Sequence, residues 1–132
     1  MRDDVQHLLD RLEAFASQVI DLVETLPNTL VGRHIAGQLL RSGTSTGANY
    51  EECCGAESHA DFVHKMQIVL KEMRESRYWL RMLSRRKWAN NNIVLPVYHE
   101  ADELCRIFTA SLVTAKKSPR RTARDNSTDS RT

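Results

Sequence analysis

The sequence predicts an all-α protein, an antiparallel up-and-down four-helix bundle. Apolar residues recur at i, i+3, i+4 and i+7 through four long stretches. The connectors between these stretches are short, which makes sequential helices antiparallel neighbours. Gly and Pro number only five and three in 132 residues, too few for the turn-dense chain of an all-β fold.

In the first helix Val5, Leu8, Leu9, Leu12, Phe15, Ala16, Val19, Ile20 and Val23 form the apolar stripe, with Asp10, Glu13, Asp21 and Glu24 off it. Pro27 disfavours helix at Leu26, and Asn28 or Thr29 caps the second helix, where Ile35, Leu39 and Leu40 are apolar. The run from Arg41 to Tyr50 holds two Gly and four Ser/Thr and resembles a loop locally. Wound as a helix, it places Leu39, Ser42, Thr46, Asn49 and Cys53 on one stripe, whose small residues let two helices approach closely. The third helix is predicted from about Ser58–Asp61 to about Arg86, on Phe62, Met66, Val69, Leu70, Met73, Leu80 and Leu83. Trp88 to Asn92 ends it. Pro96 suits the first turn of a fourth helix built on Val97, Ala101, Leu104, Ile107, Phe108, Leu112 and Ala115.

Charge divides the chain in two. Residues 1–115 carry 13 Lys/Arg against 15 Asp/Glu, a net −2, and form the expected bundle. Residues 116–132 carry 6 against 2, a net +4, with almost no apolar side chains, and are expected to be a disordered basic tail. The acidic, amphipathic start is unlike a secretory signal, and no apolar run approaches the ~20 residues of a membrane span. Three cysteines, two of them adjacent, suggest no disulfide framework and fit a reducing cytoplasm.

The patterns that carry metal or nucleophile chemistry are weak. Glu57, Asp61 and His64 share a helical face, but Glu-x-x-His, Cys-x-x-Cys and His-Glu-x-x-His are all missing. Acids at a helix start favour its dipole and explain that cluster without a metal. Neighbouring Glu51, Glu52 and Glu57 would raise the thiol pKa of Cys53 and Cys54 and disfavour them as nucleophiles. Gly43 and Gly47 lack the spacing and the Lys of a phosphate-cradling loop. No catalytic residue, metal or cofactor is therefore expected.

The basic stripe is the main functional signal. Arg74, Arg77, Arg81 and Arg85 step by three and four residues along one helical face, bordered by Lys71 and Tyr78 and extended by Arg86, Lys87 and Trp88. Cations with aromatic neighbours can hold a phosphate backbone and stack bases. The competing account is a solvated flank ion-paired to Glu residues of a neighbouring helix or subunit. Asn49 on the inner stripe, with Glu52 a turn away, and Glu72 and Glu75 beside Trp79 are expected to fix helix register or oligomeric state.

The order Gln38-Leu39-x-Arg41-Ser42-x-x-Ser45-x-x-x-Asn49-x-x-Glu52, then Phe62-x-x-Lys65-Met66, then Leu70-Lys71-Glu72-x-x-Glu75-x-x-Tyr78-Trp79-Leu80 resembles a bacterial four-helix-bundle family. That family includes proteins encoded in intervening sequences of large-subunit ribosomal RNA genes, and the accessory protein of diversity-generating retroelements is a relative. The resemblance spans roughly residues 5–115. It implies an up-and-down bundle assembled as a homopentamer, a second helix continuous through Ser42–Glu52, and Arg41, Ser45, Asn49, Glu52, Glu72 and Glu75 as structural motif residues. Gly47 stands where the family commonly has Pro. The retroelement relative implies an RNA-binding accessory factor that works with a reverse transcriptase. The sequence thus leads to two expectations: a non-enzymatic oligomeric scaffold that binds nucleic acid, RNA above all, or a protein–protein adaptor with no nucleic-acid role.

Overall fold

The computed structural model describes residues 3–117. Four helices fill them: α1 (Asp3–Val23), α2 (Leu30–Cys54), α3 (His59–Ser84) and α4 (Asn91–Lys117). Each packs on the next in sequence, and α4 closes back on α1 more lightly. The result is the predicted all-α four-helix bundle, with no strand among the described residues.

Local chemistry sets the helix ends. Thr29 caps α2, its hydroxyl accepting from Gly32 N–H at 3.1 Å. Ser58 caps α3 by accepting from Asp61 N–H at 3.1 Å. Each satisfies a backbone donor that the helix itself leaves unpaired. Helix α4 begins at Asn91, earlier than Pro96 suggests, behind Asn90, whose Oδ1 accepts from Asn92 N–H at 2.8 Å. Pro96 is therefore an interior residue of the helix. It lies exposed, so the carbonyl one turn back that loses its N–H partner faces solvent.

Helix α2 is continuous through the glycine- and serine-rich stretch. Ser42, Gly43 and Thr46 are buried there, and the hydroxyls of Ser42 and Thr46 bond carbonyls of their own helix. A Cβ on Gly43 would lie 2.9 Å from Val19, so this glycine is what lets α1 and α2 close on each other. On the other side of α2, Ser76 donates to Ser42 Oγ at 2.8 Å, a buried hydroxyl pair across the α2/α3 seam. Ser76 occupies a core turn of α3 that apolar counting passes over.

The core runs the length of the bundle through Leu12, Phe15, Val19, Leu22, Leu39, Val69, Met73, Leu80, Leu83, Val94, Leu104 and Phe108, all almost fully buried. Tyr50 of α2 meets Phe108 of α4 across the centre, ring centroids 5.6 Å apart. Two expectations need correction. In α1 the buried line takes Leu22, while Ile20 is 42% exposed. In α2 Tyr50 holds the inner position expected of Asn49, which is half-buried one residue round the helix.

Candidate nucleic-acid interface

The charged side chains of α3 and α4 divide by the direction they face. All six carboxylates on these helices are ion-paired. Glu72 and Glu75 face α2 and hold Arg41, with Glu72 at 3.1 Å. Glu100 and Glu103 face α1 and hold Arg11 at 2.7 and 3.0 Å. Asp102 sits between Arg77 and Arg106, 3.0 Å from each. Asp61, at the start of α3, takes Lys65 at 3.1 Å. The two guanidiniums of Asp102, Arg106 the larger influence, hold its carboxyl below the usual carboxylate range. The hydrogen bonds of Glu100 and Glu103 raise the pKa of Arg11.

The outer surface of α3 and α4 is left with cations. Lys71, Arg74, Arg81 and Arg85 are exposed along α3 and its end, and none is ion-paired among the described residues. The line from Lys71 to Arg85 covers about 21 Å at 1.5 Å per residue. Arg86 and Lys87 continue it, with the Arg86 guanidinium 4.7 Å from the ring centre of Trp88. Lys116 and Lys117 extend it on α4. Of the six predicted contact residues, Arg77 alone has a carboxylate partner among the described residues, Asp102. Arg74, Arg81, Arg85 and Lys87 make no ion pair among them, and Arg86 lies over the Trp88 ring. Tyr78 rises among them, 48% exposed and edge-on to Trp79 at 5.0 Å.

The predicted motif residues separate into two groups. Arg41, Ser45, Glu72 and Glu75 form one network at the α2/α3 seam. Ser45 donates to Glu72 at 3.2 Å, and Trp79 Nε1 donates to Glu75 at 3.3 Å. Asn49 and Glu52 continue the same face of α2, and neither bonds a side chain across the seam. Lys116 and Lys117 belong to α4, two residues beyond the boundary that charge predicts, and residues 118–132 of the expected basic tail lie outside the described residues. Sequence reasoning missed Arg106 and Lys116, which reach this surface only because α4 runs antiparallel to α3. The Arg77–Asp102 contact fixes that register.

Nothing in the described residues assembles a reactive centre. No group of three metal-ligating side chains comes together. Asp61 accepts from Glu57 N–H at 3.2 Å and from Lys65, as an acid at a helix start does. Burial, rather than the neighbouring glutamates, pushes the Cys53 thiol up to about 12, and burial also raises Cys105. Neither supplies a thiolate at neutral pH. No described helix is long and apolar enough to cross a membrane.

Comparison with known proteins agrees with the four-helix fold. A solved structure from Bacteroides thetaiotaomicron, a protein of unknown function from the S23 ribosomal protein family, is 33% identical. It covers 79% of this chain and 96% of its own, with a TM-score of 0.72. No curated protein matches. The family model of the 23S rRNA-intervening sequence proteins matches residues 7–110, all four helices of the bundle, and the chain belongs to that family.

Proposed function

We propose that this chain is a non-enzymatic bundle that binds nucleic acid, RNA in preference, through phosphate contacts on the α3/α4 surface. It acts there as an oligomeric scaffold or accessory factor in the cytoplasm. The observation that carries the reading is the pairing pattern: every carboxylate of α3 and α4 is held by a cation, and Lys71, Arg74, Arg81, Arg85, Arg86, Lys87, Lys116 and Lys117 have no ion pair among the described residues. A surface of that kind binds polyanions by releasing their counterions. The family's connection with 23S rRNA intervening sequences favours RNA. Homopentameric assembly and a reverse transcriptase partner come from the resemblance noted above and are part of the proposal. The basic segment beyond Lys117 would add affinity that fades with salt.

The full chain should bind a labelled RNA hairpin with an affinity that falls steeply between 50 and 200 mM salt, since each tenfold rise in salt lowers log affinity by ~0.7–0.9 per phosphate neutralised. Binding that is absent at low salt, or insensitive to salt, would overturn the reading.

The adaptor reading has one observation in its favour. The carboxylates of α1 and α2, among them Glu13, Asp21 and Glu51, make no ion pair among the described residues and complement the basic side of a second copy. Light scattering of Arg77→Ala decides it. Loss of assembly, with no RNA binding by either the unmodified chain or the variant, would favour the adaptor.

A further inference from the structure

A groove of about 460 Å³ lies between α3 and α4 on the basic surface, within the size range of small-ligand sites. Its floor is aliphatic: Leu70, Leu112 and Val113, the last 46% exposed. Lys71 and Arg74 stand on the α3 wall and Lys116 on the α4 wall, and no carboxylate lines it. Thr109 Oγ1 gives its hydrogen to Cys105 O at 2.7 Å, which leaves its lone pairs facing outward as acceptors. The Gln67 amide, also at the groove, makes no hydrogen bond among the described residues and offers both donors and an acceptor.

From this combination we infer that the groove seats a single unstacked nucleobase of a single-stranded RNA, with flanking phosphates on Lys71, Arg74 and Lys116. The inference rests on the phosphate-binding role proposed above and names the form of nucleic acid that the surface takes. A bare anion would need the cations but not the apolar floor. A lipid chain would need the floor but not Gln67 and Thr109. A base has an apolar face and a hydrogen-bonding edge, and it stacks on apolar surfaces and guanidinium planes, as Arg74 allows. The cations continue past the groove to Arg81 and Arg85, so the occupant is part of a strand rather than a free nucleotide. Exposed Tyr78 stands between groove and extension as a further stacking face. A duplex keeps its bases stacked inside and cannot fill such a site.

The test uses the full chain and two single-stranded probes of equal length and phosphate number. One is an oligouridylate with a central 2-aminopurine, the other an abasic phosphodiester. The base-bearing strand should bind about tenfold more tightly, the scale of one seated base. Thr109→Leu with Val113→Met, which crowds the groove with aliphatic atoms and removes the Thr109 acceptor without changing charge, should erase that gap and leave the abasic affinity unchanged. Equal binding of both probes to the unmodified chain would overturn the base site and leave the phosphate reading standing. Failure of both probes to bind at low salt would overturn the phosphate reading, and the base site with it.

Discussion

Helices α1 and α2 carry seven carboxylates and three cationic side chains, whereas α3 and α4 carry six and eight. The imbalance grows across the seams. Two of the three cations on the first pair, Arg11 and Arg41, point at the second pair and hold four of its six carboxylates. Among the described residues the acids of α1 and α2 are thereby left without an ion pair on their own surface, and so are Lys71, Arg74, Arg81, Lys116 and Lys117 on α3 and α4. A domain near charge neutrality thus becomes strongly dipolar without any block of like charge in its sequence. Net charge alone is a poor guide to partners in such a case, since a polyanion responds to the local surface.

Reversing the basic side breaks the comparison most directly. Arg81→Glu with Arg85→Glu should weaken RNA binding roughly a hundredfold at low salt and flatten the salt slope by about two phosphates' worth. The mirror pair on the acidic side, Glu13→Lys with Glu51→Lys, should leave affinity unchanged or raise it. Fluorescence anisotropy at several salt concentrations reads both, and equal losses in the two variants would show that binding ignores the sidedness.

Packing offers the next contrast, within α2 itself. Gly43 faces Val19, a β-branched side chain that has little freedom to yield. Gly43→Val should therefore cost about 2 kcal/mol and lower the Tm by roughly 6–10 °C. Gly37 has nothing within 4 Å of where its Cβ would be. Gly37→Ala should stabilise by about 0.5–1 kcal/mol, from helix propensity alone. Matching thermal shifts in the two variants would mean that α1 and α2 are not held close at Gly43.

The helices were legible because a buried face imposes a 3.6-residue period on the chain. Their exact rotation was harder: Ile20 and Leu22 lie on opposite edges of the α1 apolar stripe, and contact with the other helices decides which edge is buried. Ser42 and Ser76 look polar singly and become core residues by bonding each other. The cation line on α3 was visible because it lies on a single helix. Which of its members are neutralised was not, since the partner of Arg77 lies 25 residues away and depends on inter-helix register. The α4 wall of the groove, with Thr109, Val113 and Lys116, was hidden for the same reason.

Asp102 provides the finest adjustment of the contrast, because it is the carboxylate on the basic surface itself. Asp102→Asn frees Arg77 and Arg106 to meet phosphates. Affinity should rise about threefold, with a salt slope steeper by about one. The same variant should blunt the acid limb of the stability profile. The folded carboxyl of Asp102 is held below its unfolded value of about 3.9, so its pairing stabilises the fold above that pH. That contribution disappears as pH falls through the folded value. Melting temperatures of the two proteins should therefore differ at pH 6 and converge as pH falls below the folded value. A constant gap would mean that Asp102 acts through packing rather than charge. An unchanged salt slope at neutral pH would mean that Arg77 and Arg106 stay bound within the seam and that the phosphate path runs along the outer line of α3 alone.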